Sequence, residues 1–193
     1  MRNPVTNLSD RPGYFTQDAN DLAAVQSCLA GDTAAFEGIV ERYQRVLFTV
    51  ALRMLGNPDE ASDATQNAFV NAYRRLGSFD PERRFFSWIY RILVNECLND
   101  QRDRRSYEEL TPGVAVVGSA ADTLEADERR KLVQRAILRL PHEYRQVIVL
   151  RHFSELSYDE IAEVVGVPAK TVKSRLHTAR ERLAAMLGVD ERK

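Results

Sequence analysis

The sequence predicts an all-α protein of two small helical domains joined by a flexible linker, the C-terminal one containing a helix-turn-helix. Three observations carry that prediction. Apolar residues recur at steps of three and four through most of the 193 residues, and no segment alternates with the period of a strand. The periodicity fades between Ser106 and Thr123, where Thr111-Pro112-Gly113 and Gly118-Ser119 punctuate a stretch that reads as a linker. Beyond it, Leu156 to Leu187 parses as a short helix, a tight turn and a second helix.

The elements follow in order. Met1 to Asn20 is polar, contains Pro4, Pro12 and Gly13, and reads as a disordered N-terminal tail. A first helix is expected over about Asp21 to Ala30, with Leu22, Val25 and Leu29 on one face. Asp32 can cap a longer second helix to about Leu55, striped by Phe36, Ile39, Val40, Tyr43, Leu47, Val50 and Met54. Gly56-Asn57-Pro58 stops it. A third helix over about Asp59 to Leu76 would bury Ala61, Ala68, Phe69, Ala72 and Leu76. A loop from Gly77 to Arg84 leads into a fourth helix, about Phe85 to Arg104. Together these make a first domain over residues 21–105, followed by a linker over 106–123 in which Val114 to Val117 forms a short apolar patch. Helices resume over about Leu124 to Leu140 and about His142 to Phe153, separated by Pro141, and with the helix-turn-helix they make a second domain over residues 124–193.

The helix-turn-helix is the most specific local signal. Ser157-Tyr158-Asp159-Glu160 is a capping box, in which the Ser hydroxyl takes an N–H three residues on and Glu160 reaches back. Ile161, Ala162 and Val165 line one face of the helix it starts. In Gly166-Val167-Pro168, Gly is available for a positive φ and Pro is pre-set to open the next helix. There Val172, Leu176, Ala179 and Leu183 face a core, while Lys170, Lys173, Ser174, His177 and Thr178 occupy the other side. A helix dry on one side, with cations and donors on the other side of its first turns, suits a DNA major groove. A basic face that is only solvated is the competing reading for any one of these residues.

Composition narrows the function classes. Twenty-seven Lys and Arg balance 28 Asp and Glu, for a net charge of −1. The charge is uneven: Arg83, Arg84, Arg91, Arg102, Arg104 and Arg105 crowd one segment, and the last helix carries Lys170, Lys173, Arg175, Arg180 and Arg182. Near-neutrality therefore does not exclude nucleic acid. Cys28 and Cys97 sit in apolar helical patterns and read as buried thiols of a reducing cytoplasm, with a regulatory disulfide as the alternative. No Cys/His grouping has metal-ligand spacing, and His142, His152 and His177 have no catalytic company. No cofactor, no metal and no enzymatic activity are expected. Neither a signal peptide nor a membrane-inserting segment is evident, which points to a cytoplasmic chain.

On the fourth helix, Phe86, Ile89, Leu93 and Cys97 follow core spacing, whereas Arg84, Trp88, Arg91, Asn95 and Asn99 fall along another face. Two readings compete for Trp88. It either plugs a gap beneath the Phe79 loop, or it stacks on bases of a single strand whose phosphates the arginines hold. Periodicity leaves Tyr90 ambiguous.

These residues carry a resemblance to the extracytoplasmic-function (ECF) sigma factors of bacterial RNA polymerase, over about Asp21 to Leu187. Asp63-x-x-Gln66-x-x-Phe69-x-x-Ala72 resembles the helix that binds polymerase core. Phe86-Ser87-Trp88-Ile89-Tyr90-Arg91-Ile92-x-x-Asn95 resembles the promoter-melting and −10 recognition helix. Leu140-Pro141, Tyr158-Asp159-Glu160-Ile161-Ala162 and Thr171-Val172-Lys173-Ser174-Arg175 resemble the −35 recognition domain. The resemblance implies core binding by Asp63, Gln66 and Asn67, where a solvated helix face is the alternative. It implies −10 contacts from Phe79, Trp88, Tyr90, Arg91, Asn95 and Asn99, with Phe79 as an aromatic wall for an unstacked base. It implies −35 contacts from Lys170, Thr171, Lys173, Ser174, Arg175, His177 and Thr178. Two positions depart from the family: Asn67 stands where an acidic residue is common, and Lys170 where glycine is frequent. The partners implied are RNA polymerase core, promoter DNA and an anti-sigma factor. The rival readings are a helix-turn-helix transcription regulator with an α-helical sensor or dimerisation domain, and a polymerase adaptor that does not touch DNA.

Overall fold

The computed structural model describes residues 14–108 and 124–188, with side-chain environments over 19–99 and 128–188. Among the described residues all regular structure is helical. Helices α1 (Tyr14–Leu29), α2 (Ala35–Leu55), α3 (Pro58–Arg74) and α4 (Phe85–Glu108) form the N-terminal half. Helices α5 (Leu124–Arg139), α6 (His142–Phe153), α7 (Tyr158–Val165) and α8 (Ala169–Leu187) form the C-terminal half.

Helix boundaries sit where local chemistry puts them. Gly56 ends α2 at φ 82°, and its N–H donates to Leu52 O. Asn57 then caps α3, its Oδ1 accepting from Asp59 N at 2.8 Å and Glu60 N at 3.3 Å, with Pro58 at the first helical position. The stripe expected on α2 is buried except for Val40, which is half-buried, and Ala61, Ala68, Phe69, Ala72 and Leu76 are all buried. At the chain's start the structure differs from expectation. Helix α1 begins at Tyr14, inside the segment expected as a tail, because backbone hydrogen bonds propagate a helix through Tyr14 to Asn20, a mixed stretch too short to show an apolar period. Leu29, expected on the buried face, is exposed, and Cys28 is only half-buried; Cys97 is fully buried, and the two cysteines are not joined in a disulfide. Helix α4 runs three residues past Arg105, to Glu108. The rest of the expected linker, with the Val114–Val117 patch, lies outside the described residues, as do residues 1–13.

The two halves share one continuous hydrophobic core. Ile89 and Leu93 of α4 belong to the same buried cluster as Ile161 and Val164 of α7, while α6 packs on α2. The junction is also polar. Buried Arg145 of α6 donates through Nη1 to Met54 O at the end of α2 (2.8 Å), and through Nη2 to Leu140 O (3.0 Å) and Leu138 O. Helix C-termini leave carbonyls without intrahelical donors, and one guanidinium here serves the ends of two helices. Alongside, Arg53 Nη1 donates to Gln134 Oε1 at 2.8 Å, and the Arg53 Cζ lies 4.6 Å from the Phe153 ring centroid. Gly56 completes the seat. A Cβ there would meet Leu138 Cδ1 at 2.5 Å and push that side chain aside, while the left-handed φ itself favours glycine.

Replacing Arg145 by Ala strands buried carbonyls at the junction. The expected outcome is a loss of about 3 kcal/mol in stability, read as a lower urea midpoint in a denaturation series.

Candidate nucleic-acid interface

The helix-turn-helix forms as its sequence dictates. Ser157 Oγ accepts from Glu160 N at 3.2 Å, and Glu160 Oε2 accepts from Ser157 N at 2.7 Å, closing the capping box. Gly166 ends α7 at φ 69°, and Pro168 precedes α8. Val172, Leu176 and Ala179 are buried, so the opposite side of α8 must face outward. Lys170, Lys173, Ser174 and His177 form that exposed face, with Thr171 and Thr178 half-exposed beside it. Lys173 Nζ lies 5.5 Å from the Tyr158 ring centroid, and His177 Nε2 lies 3.5 Å from Glu181 Oε1. Arg175 does not join this face. It turns toward a cavity of about 430 Å³ between the halves, which Arg91, Asn95, His142 and Glu143 also line.

On α3, Asp63, Gln66 and Asn67 are exposed along one face. Val70 and Tyr73, both large and apolar, extend the same row toward the helix end, 46% and 42% exposed. Sequence reading missed these two, although their i+7 and i+10 spacing from Asp63 could have found them.

Helix α4 is less open than expected. Phe79 is only 7% exposed: its ring packs 5.3 Å from Phe85 and 5.4 Å from Trp88, so it belongs to an aromatic cluster and not to an open wall. Trp88 is half-buried against the same rings. Tyr90 corrects the expectation outright. Expected on the strand-facing surface, it is 5% exposed and stacks edge-on to Phe86 at 6.2 Å. Burial pushes its hydroxyl above the ordinary tyrosine pKa, with a smaller opposing pull from Ser154 at the end of α6. The physical reason is that α4 packs on both sides, against α2 and α3 and against α7, whereas periodicity registers a single buried face. Asn95 and Asn99 are exposed, as expected, and Arg91 is half-exposed.

The arginines of this helix are engaged by α7. Arg84 Nη1 pairs with Glu160 Oε1 at 3.0 Å, and the Glu160 side chain is 4% exposed. Ser87 Oγ donates to Glu163 Oε2 at 2.7 Å. Arg91 donates through Nη2 to Glu163 O and through Nε to Val164 O at 3.4 Å. Sequence reading saw Glu160 only as a cap and gave Ser87 and Glu163 no role, because contacts spanning more than 70 residues leave no local pattern.

Comparison with known proteins agrees with this arrangement. The sigma-70 region 2 family matches residues 39–107, covering α2 through α4, and the sigma-70 region 4 family matches residues 130–183, covering the helix-turn-helix. The ECF RNA polymerase sigma factor SigW of Bacillus subtilis is 38% identical over 170 residues, spanning 81% of this chain and 91% of its own. The chain belongs to the ECF sigma factors. Another relative of this sigma factor, the ECF RNA polymerase sigma-E factor of Escherichia coli, is 33% identical over 180 residues, covering 86% of this chain and 94% of that one. Among solved structures, CnrH in complex with the cytosolic domain of CnrY superposes with a TM-score of 0.69 at 29% identity, over 89% of this chain and 99% of that one. The sigma factor RpoE of Bartonella quintana, solved with the anti-sigma factor NepR, gives 0.68 at 26% identity, over 81% and 98%. No helix among the described residues of this sigma factor is long and apolar enough to cross a membrane.

The aromatic cluster and the exposed amides separate in a stability test. Phe79→Ala should lower the denaturation midpoint by the equivalent of about 3 kcal/mol, as buried Phe truncations do, while Asn99→Ala should leave it unchanged.

Proposed function

We propose that this sigma factor initiates transcription by a two-point grip on promoter DNA. Residues 124–193 would dock α8 on the −35 element, and residues 21–105 would bind polymerase core through α3 and capture the melted −10 strand on α4, with 106–123 joining them. The observation that carries the reading is the outward row of Lys170, Lys173, Ser174 and His177 on a helix held behind a complete capping box and turn. Thr171 and Thr178 flank the row, and Arg175 would join it once turned out of the cavity. Asp63, Gln66 and Asn67 offer a carboxylate with neighbouring amides, suited to charge-assisted bonds with a basic partner surface. Val70 and Tyr73 add apolar contact beside them. On α4, Trp88, Arg91, Asn95 and Asn99 supply one ring, one cation and two amides along a single helix. Those are the groups that hold unstacked bases and their phosphates. Phe79 and Tyr90 act there as packing for that helix. The role requires no catalytic group, metal or cofactor of its own. It is exercised beside RNA polymerase in the cytoplasm. Two structural relatives are solved with CnrY and with the anti-sigma factor NepR, and an anti-sigma factor is the corresponding regulator of this chain.

Run-off transcription with purified core polymerase and a promoter library tests the whole. Promoter-dependent starts are expected, and their absence sinks the reading. Trp88→Ala should slow open-complex formation far more than closed-complex binding, by the equivalent of about 1–3 kcal/mol for one lost stacking platform. Lys173→Ala should weaken −35 binding at every salt concentration and reduce the salt slope by about 1 if it meets phosphate; selective loss at one base position would instead mark base readout.

A further inference from the structure

Within the outward row on α8, Lys173 is held by a ring and not by a carboxylate. Its Nζ lies 5.5 Å from the ring centroid of Tyr158, the first residue of α7, and among the described residues it forms no ion pair. Tyr158 is itself braced. Arg151 Cζ of α6 lies 5.3 Å from the same centroid, and Arg151 Nη1 donates to Leu156 O at 2.5 Å. Three helices thus converge on one half-buried ring, which the Ser157–Glu160 capping box fixes at the entry to α7. One turn further along α8, His177 has a carboxylate beside it instead, that of Glu181. The two arrangements leave different things for DNA. A carboxylate orients a cation by cancelling its charge, whereas an aromatic face orients it through the ring quadrupole and leaves the charge whole. Lysine gains from such support, because its long flexible stem has many rotamers to lose on binding.

We infer that Tyr158 is a positioning residue of the −35 interface, whose ring holds the Lys173 ammonium, at full charge, in the orientation in which α8 meets DNA. This rests on the proposed docking of α8. Tyr158 acts through Lys173, and its hydroxyl has no part in the contact: the attraction belongs to the ring, so phenylalanine serves equally. The capping box uses the Ser157 hydroxyl and N–H and the Glu160 carboxylate and N–H, so a change of the Tyr158 side chain removes none of its bonds.

A double-mutant cycle in the full-length chain, assembled with core polymerase, tests it on a promoter fragment recovered from the run-off library. Closed-complex affinity is measured in the cold, before the strands open. Tyr158→Phe should bind as wild type does, and Tyr158→Leu about two- to fivefold more weakly, the size of one exposed cation–π contact. In a Lys173→Ala background, Tyr158→Leu should cost nothing further; in a Lys170→Ala background it should cost the same factor as in wild type. Any loss of fold enters both backgrounds alike and so cancels from the cycle. A loss that persists without Lys173 marks general damage to α7 and overturns the positioning role. Tyr158→Phe losing as much as Tyr158→Leu overturns it too, by assigning the contact to the hydroxyl. Weakening by Lys173→Ala beside an unaffected Tyr158→Leu overturns the inference and leaves the docking of α8 standing. Full affinity in Lys173→Ala removes Lys173 from the docking surface, and the inference falls with it.

Discussion

The burial of α4 on two sides is the constraint on which this molecule depends. One side of the helix completes the N-terminal core with α2 and α3; the other receives α7. That second contact converts two helical clusters into one body. It also sets what α4 can offer at its surface, because a residue that points away from α2 and α3 does not thereby reach solvent. Arg145 secures the same geometry from the other end, by holding the C-terminal carbonyls of α2 and α5 in one guanidinium. Such bonds are strong in place yet exchangeable, since a carbonyl released from an arginine can turn to water at modest net cost. Apolar contact and exchangeable polar contact thus share the interface between the halves.

Much of the fold was legible because its signals are local. The Gly56-Asn57-Pro58 stop, the Ser157–Glu160 capping box and the Gly166-Val167-Pro168 turn each act within a few residues, and each forms as read. The stripes of α2 and α3 were legible for the same reason, each helix having one dominant buried face. Where the physics is non-local the sequence is silent. Tyr90 looks no different from an outward aromatic until Ser154, at the end of α6, is found beside it, and Glu163 looks like any solvated glutamate until Ser87 is found beneath it. The early start of α1 is a different failure, in which cooperativity extends a helix through residues with no pattern to show.

The same division runs through the site. The outward row on α8 could be read because burial of Val172, Leu176 and Ala179 fixes the orientation of everything between them. Family resemblance placed Arg175 with that row, yet its side chain turns inward. Resemblance transfers the identity of a residue more reliably than its orientation, because orientation here belongs to a particular packing of the two halves.

Glu160 has a consequence for the pace of any rearrangement. Its two carboxylate oxygens are divided: Oε2 holds the N–H of Ser157, and Oε1 holds Arg84. Breaking the second bond leaves the first in place, so α7 can leave α4 without fraying at its own N-terminus. No turn of helix has to melt and no nucleation barrier has to be crossed again.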